Sequence, residues 1–357
     1  MLLAITIEQS HTANQDVFLQ NAWYVAALSN SIGRELTPLK LLDESVVVYR
    51  SNDGQPVVLE DACPHRKLPL SMGRLVDDHI ECGYHGLCFD ASGKCIIAPT
   101  QERIPPTAIV KTYPALDKYG LLWVWMGEAK ADESKLLDIE NFENPAWHIT
   151  SGDYMDCQCN YLYLADNLLD PSHVAWVHKT SFASLGTEDT PLEMQENEQG
   201  LIVSRWIYNC EAPPFYQPLL KFSGKCDRLQ HYEVRFPSIA INKSVYCPPG
   251  SGGPHWKPRE ECYEMISYNF LTPIDKNNTR YFWLQQRNTD PSDEKITLSI
   301  SKGAKQAFME DKNILEAVHS GITNTTSRPI NLALDTGALR FRTLLQQIIE
   351  AENLEPK

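Results

Sequence analysis

The residues best equipped for chemistry fall in two groups. The first is Cys63-Pro64-His65, followed after sixteen residues by Cys82-Gly83-Tyr84-His85. Each half offers a thiolate and an imidazole within one tight turn, just after a strand-like run. Pro64, Gly83 and Gly86 fix or relax the backbone where a chain must fold around an ion. Two loops that each give one Cys and one His place two sulfurs on one metal and two nitrogens on another. That division is what a [2Fe–2S] centre of the Rieske type requires, with His replacing Cys on one iron. A Cys2His2 zinc site takes the same four ligands, although its common spacings pair Cys with Cys and His with His. Spacing alone leaves both open. Cys88 and Cys95 lie nearby, complete neither set, and read as ordinary thiols.

The second group is Asn167 to His178, two imidazoles and a carboxylate in twelve residues. Asn167, Asp170 and His173 are spaced by three and share a helical face. His178 lies about 140° round from His173, so both rings reach one metal only if the helix ends, bends or widens between them. A two-His, one-carboxylate iron site needs one further acid. The predicted helix over 303–319 supplies a candidate. Its apolar stripe runs through Ala304, Ala307, Phe308, Ile314, Leu315 and Val318, and Asp311 fills the gap. Glu310 is rotated about 100° away, among Gln306, Asn313 and Ala317. A carboxylate facing a core is costly unless paired or metal-bound, so helical phase favours Asp311 over Glu310. The plainer alternatives are two incidental His at a helix end and an Asp311–Arg ion pair.

These groups need a scaffold of some size, and 357 residues give about two domains. Hydrophobic residues at 43% suffice for more than one core. The formal charge of −14 has no basic run to offset it, which argues against nucleic acid and anionic lipid as partners. No apolar stretch approaches the roughly 18–20 residues of a membrane span. The opening Met1–Ile7 lacks a basic region and is short for a signal peptide. A cytoplasmic protein is expected, and its ten Cys read as thiols rather than a disulfide framework.

Residues 1–18 are polar and aperiodic and read as an N-terminal extension. Val46–Tyr49 and Pro56–Leu59 flank the turn Ser51–Gly54, and Asp90–Lys94 is another turn. Val110–Tyr113 and Leu121–Met126 read as further strands. A small β-domain is expected over 19–130. The charged stretch Glu128–Asn144 makes 131–150 a linker. Residues 151–357 mix strand-like runs (Leu201–Val203, Arg280–Leu284), a Pro/Gly loop at 248–254, and helices within 160–178, over 303–319 and over 335–350. That mixture argues an α+β second domain.

Cys63-Pro64-His65-Arg66 with Cys82-Gly83-Tyr84-His85-Gly86 resembles the Rieske signature of aromatic-ring hydroxylating oxygenases. Asn167, Asp170, His173 and His178 match the Asn-x2-Asp-x2-His-x4-His pattern of Rieske oxygenase α-subunits, and Glu310-Asp311-Lys312 is similar to the segment bearing their carboxylate ligand. From about Asn21 to Glu350 the chain resembles the group acting on methyl carbons: vanillate O-demethylase, dicamba O-demethylase and toluenesulfonate methyl-monooxygenase. Asn21–Ala26, Asp166–Asp170 and Ala212–Phe215 carry that likeness.

The resemblance implies an all-β Rieske domain before an α+β catalytic domain with an antiparallel sheet. It implies a [2Fe–2S] cluster on Cys63, His65, Cys82 and His85, and ferrous iron on His173, His178 and Asp311. Asn167 and Asp170 belong to its catalytic pattern; Asp170 would bridge His173 to His85 of a neighbouring subunit in a homotrimer. O2 is the implied cosubstrate. NAD(P)H electrons would arrive through a separate ferredoxin or flavin reductase, since the chain has no Gly-x-Gly-x-x-Gly element and no plant-type ferredoxin spacing. The implied reaction hydroxylates a methyl or methoxy carbon of a small aromatic acid, and a hydroxylated methoxy group collapses to phenol and formaldehyde. Asn269 falls where a relative has a polar substrate contact, with a different residue type. Arg205, Arg228, Arg235 and Lys243 are unranked candidates for the substrate carboxylate. The rivals are a ring dioxygenase forming a cis-diol and, from a different class, a non-catalytic electron carrier or zinc-binding module.

Overall fold

β-Branched and aromatic runs build the N-terminal half. In this computed structural model, which describes residues 18–150, 152–179, 181–183 and 190–354, ten short strands come first. They are β1 (Trp23–Leu28), β2 (Thr37–Leu41), β3 (Glu44–Arg50), β4 (Pro56–Glu60), β5 (Arg74–Val76), β6 (His79–Glu81), β7 (Cys88–Phe89), β8 (Cys95–Ile97), β9 (Ala115–Lys118) and β10 (Leu121–Trp125). They form three antiparallel sheets ordered β1-β10-β9, β2-β3-β4 and β5-β6-β7-β8. The expected extension lies outside the described residues except for its last residue, Phe18, which is buried.

The Val110–Tyr113 run does not form the expected strand. Its backbone bonds are split between two segments: Val110 N–H donates to Gly93, whereas Tyr113 N–H donates to Val58 and the Lys111 carbonyl accepts from Glu60, both of β4. Isolated bridges at Ile109 and Thr112 result in place of a ladder. The strand pairing with β10 begins only after Pro114.

The second half contains β11 (His148–Ile149), β12 (Asp153–Cys157), α1 (Tyr161–Leu169), α2 (Val174–Val177), β13 (Glu193–Asn197), β14 (Gly200–Cys210), β15 (Cys226–Arg235), β16 (Ile239–Cys247), β17 (Tyr263–Asp275), β18 (Asn278–Arg287), α3 (Glu294–Asn324) and α4 (Thr336–Leu354). Its eight strands make one antiparallel sheet ordered β11-β18-β17-β16-β15-β14-β13, with β12 also paired to β18.

Period-two alternation divides the work of this sheet. Ile266, Tyr268 and Phe270 of β17 join Ile239, Ile241 and Phe282 in a core completed by Trp23, Trp123 and Trp125 of the first domain. Leu136, Leu137 and Ile139 from the charged stretch enter the same layer. The opposite face carries α1, α3 and α4, where Leu164, Leu168, Phe308 and Phe341 pack over Val203 and Val234.

Helix α3 is longer than the 303–319 of the sequence reading. Asp293 caps it by accepting from the N–H groups of Lys295 and Ile296, and Gly303 then falls inside rather than at the start. A Cβ at Gly303 would stand 2.4 Å from the Phe215 ring. A residue that reads as a helix breaker is there to admit an aromatic ring. Ile314 and Val318, assigned to the core stripe, are exposed, whereas Ala304, Ala307, Phe308, Asp311 and Leu315 are buried. Among the described residues no helix is long and apolar enough to cross a membrane, and all ten Cys are free thiols.

The face shared by the two halves should matter for stability. Phe270 meets Trp123 edge to face at 5.3 Å and is 2% exposed. Phe270→Ala is expected to cost about 3–5 kcal/mol, read from denaturant unfolding. A loss below about 1 kcal/mol would show that the interlayer contact is not structural.

Candidate metal centres and cavity

The loops after β4 and β6 share one backbone construction. The Cys63 N–H donates to Leu68 at 2.9 Å and Lys67 N–H returns to Cys63 at 2.8 Å; Cys82 N–H donates to Leu87 at 2.8 Å and Gly86 N–H returns to Cys82 at 3.1 Å. The fourth residue after each Cys is left-handed, with φ +58° at Lys67 and +69° at Gly86. The sulfurs lie inside, the rings outside. Cys63 and Cys82 are buried, His65 is exposed and His85 half-buried. The two imidazoles stand 4.6 Å apart between centroids, and the two thiols are in hydrogen-bond contact. Burial pushes the Cys63 thiol pKa up, while the His65 and Arg66 N–H groups aimed at its sulfur pull it down. Those donors suit a bound thiolate.

A single tetrahedral zinc would draw all four donor atoms to within roughly 4 Å of one another. Among the described residues, no three of these four atoms come that close. Paired sulfurs and paired rings held apart fit a two-metal cluster instead. His85 Nδ1 is buried with no hydrogen-bond partner, as a nitrogen reserved for a metal would be.

The second centre begins where α1 stops. Asn160 caps that helix through Leu162 N–H, and Asp170 ends it in an extended conformation (φ −104°, ψ 104°) because the residue before Pro171 is driven out of the α region. The chain re-enters a single turn, α2, with His173 as its N-cap and His178, at φ −104° and ψ 41°, as its C-cap. The break at Asp170-Pro171 precedes both rings; the turn from His173 to Val177 is continuous, and the helix ends only at His178 itself. Their centroids are 5.4 Å apart. Asp311 of α3 places Oδ1 3.1 Å from His178 Nε2 and 3.6 Å from His173 Nε2. The three donor atoms all lie within 4.8 Å of one another. That oxygen is buried and makes no aligned hydrogen bond, which fits a cation between the three groups.

Both rings are fixed from behind. His173 Nδ1–H donates to the Asp170 carbonyl at 2.5 Å, and His178 Nδ1–H to Glu310 Oε2 at 2.8 Å. Each neutral ring then keeps its lone pair on Nε2. Gln306 steadies Glu310 through Oε1 at 3.1 Å. Burial opposes charge on His178, but the adjacent carboxylates of Asp311 and Glu310 outweigh it and raise its pKa. Helical phase passed over Glu310 for this role. The available signals were its place beside Asp311 and the Gln306–Glu310 pair at i, i+4.

Asp170 and Asn167 do not join the triad. The Asp170 carboxylate accepts from the Ser172 N–H at 2.7 Å and from the Ser172 hydroxyl. Both residues border an outer cleft of about 1040 Å³ between α1, the end of α3 and α4. On the inner side, a cavity of about 100 Å³ touches all three triad residues. Phe182, Tyr216 and Phe308 wall it; Asn242, Ser244 and Gln285 line its floor. Asn269 lies outside this cavity. It is fully buried, with its amide satisfied by Ala240, Asn242, Ser267 and Tyr281, and it braces Asn242, which donates to the Leu168 carbonyl.

Removal of the third donor should empty the second centre selectively. Asp311→Ala is expected to abolish metal retention there while the Cys63/Cys82 centre keeps its spectrum. Glu310→Gln, which frees the back of His178, should weaken metal affinity by about 10–100-fold. Both are read as metal per chain after dialysis against graded chelator. Wild-type retention by Asp311→Ala would remove it from the ligand set.

Comparison with known proteins places these centres. The Rieske [2Fe-2S] domain model matches residues 22–114, and the vanillate O-demethylase oxygenase C-terminal domain model matches 157–351. The chain is 35% identical to the toluene-4-sulfonate monooxygenase system iron-sulfur subunit of Comamonas testosteroni, over 94% of this chain and 99% of the relative. It is 32% identical to the vanillate O-demethylase oxygenase subunit of a Pseudomonas species, over 94% and 96%. The crystal structure of dicamba monooxygenase bound to 3,6-dichlorosalicylic acid superposes with a TM-score of 0.85 at 27% identity, covering 95% of this chain and all of that one. With a Rieske domain followed by this C-terminal oxygenase domain, and full-length relatives at 32–35% identity, the chain belongs to the Rieske non-haem iron oxygenases of the vanillate O-demethylase type.

Proposed function

We propose that this chain is the oxygenase component of a Rieske monooxygenase that oxidises a methyl or methoxy carbon of a small aromatic acid. The observation that carries the reading is the triad of His173, His178 and Asp311 beside a small cavity, in the same chain as the paired Cys–His loops. A relay module alone has no use for the triad or the cavity. The relatives, two of them O-demethylases and one a toluene-4-sulfonate monooxygenase, support methyl-group oxidation over cis-diol formation. The cavity's small size supports a single-ring substrate, being well under the roughly 300–1,000 Å³ of typical ligand clefts.

In this reading Cys63, Cys82, His65 and His85 hold a [2Fe–2S] cluster, and His173, His178 and Asp311 hold ferrous iron. When bound, the two groups supply single electrons and O2 chemistry. The chain's own side chains do the rest. Glu310 and the Asp170 carbonyl fix both ring tautomers; Phe182, Tyr216 and Phe308 exclude water from the reacting carbon. A separate ferredoxin or flavin reductase draws on NAD(P)H. A homotrimer belongs to this reading; the exposed His65 ring and the open cleft at Asp170 support the docking of a neighbouring subunit's His85 there. Ten free thiols agree with a cytoplasmic setting.

Two measurements test this. Purified protein with a surrogate reductase and NADH should release formaldehyde from aryl methoxy acids, or a benzylic alcohol from aryl methyl acids. A cis-diol product, or neither product across such a panel, defeats the reading. Asp170→Asn should keep both metals, because the amide oxygen still accepts from Ser172, yet lose turnover roughly tenfold or more, with slow reoxidation of the reduced cluster. Full activity in that variant removes the inter-subunit bridge.

A further inference from the structure

Four cations are candidates for binding a substrate anion, and the lining of the cavity separates them. Arg235 sits on Glu233 at 2.5 Å and Lys243 on Glu264 at 2.9 Å. Arg205 donates to Gln230 at 2.8 Å and to the Thr190 carbonyl at 3.0 Å. Arg228 alone of the four lines the cavity that holds the metal triad. It is 3% exposed, with its guanidinium 5.5 Å from the Tyr246 ring centroid.

Strand register sets its place in the cavity. Tyr232 lies opposite Asn242, and Asn242 bonds the end of α1 close to the triad. Arg228 is four residues back along β15, opposite Tyr246, roughly 13 Å away at about 3.3 Å per residue. The cavity thus has a carboxylate, Asp311, among the metal donors, and a cation entering from the end remote from α1. Tyr216, whose hydroxyl reaches Ser244 Oγ at 3.4 Å, lines the wall between.

We propose that Arg228 is the anion clamp of this cavity, binding the carboxylate or sulfonate of an aromatic substrate so that the ring's opposite substituent faces His173, His178 and Asp311. A planar guanidinium fork matches either oxyanion through two parallel hydrogen bonds. A clamp at one end of a narrow cavity turns binding energy into orientation, which is what selects one carbon for attack. The inference rests on the aryl-methyl monooxygenase reading and adds the residue that binds the acid group and the direction in which the substrate lies.

The test measures binding, separately from turnover. Anaerobic calorimetry on the metal-loaded protein would compare para-methylbenzenesulfonate with para-methylbenzenesulfonamide, and para-methoxybenzoate with para-methoxybenzamide. Wild type should favour at least one acid over its own amide by roughly 10–100-fold; Arg228→Gln should erase that preference, and Arg228→Lys restore part of it. Equal affinity within both pairs in wild type overturns the clamp even if Arg228→Gln does not fold, as does a folded Arg228→Gln that keeps the preference. Acid-selective binding without formaldehyde or benzylic alcohol would sink the reaction and leave the clamp. Oxidation of the neutral amides as fast as the acids would sink the clamp and leave the reaction.

Discussion

Asp311 brings a carboxylate oxygen into a core among two imidazoles, with no hydrogen bond to compensate it, and much of the catalytic domain is arranged around that arrangement. A buried acid of this kind is tolerable only with a cation beside it. The cation site in turn requires two His whose spacing is wrong for a continuous helix. α1 stops at Asp170-Pro171, before either ring, and the single turn of α2 starts from His173 and ends at His178, whose backbone leaves the helical region. α3 must run past this point with the right phase, which Gly303 permits by letting the helix lie against Phe215.

Fixing three donor atoms is not sufficient, since an imidazole can rotate or change tautomer. The Asp170 carbonyl and Glu310 each occupy an Nδ1, so the same residue that ends α1 also orients the first ring. Asp170 thereby serves two directions. Its backbone oxygen faces the triad's His173, while its carboxylate, held by Ser172, borders the outer cleft. A group that acts through its main chain on one side and its side chain on the other couples the two surfaces with no moving part.

What was legible in the sequence followed from locality. Both Cys–His loops and the Asn167–His178 segment are short-range patterns, so type and spacing were enough to single out their residues. Asp311 emerged because helical phase is a local property too. Glu310 escaped because its partner, His178, is 132 residues away. Asn269 and Arg228 could not be told apart by residue type; register across β15, β16 and β17 leaves the first braced outside the cavity and places the second in its lining. The failed strand at Val110–Tyr113 has the same origin. Its composition favours β structure, but two different neighbours, β4 and the Gly93 turn, divide its hydrogen bonds.

The central sheet decides how the two metal regions relate. Ile266, Tyr268 and Phe270 turn to the tryptophans of the first domain, while Met265 and Ser267, one residue out of phase, form cavity floor. Trp23, Trp123 and Trp125 of the first domain thus pack against the back of the surface that floors the cavity, while Tyr24, Val48 and Val124 of the same domain join the core beneath α1 and α3. The Asp170 cleft, by contrast, opens outward beside His173. The Asp170 carboxylate, held by Ser172, therefore stands at the edge of an open cleft and not in the core that the two domains share.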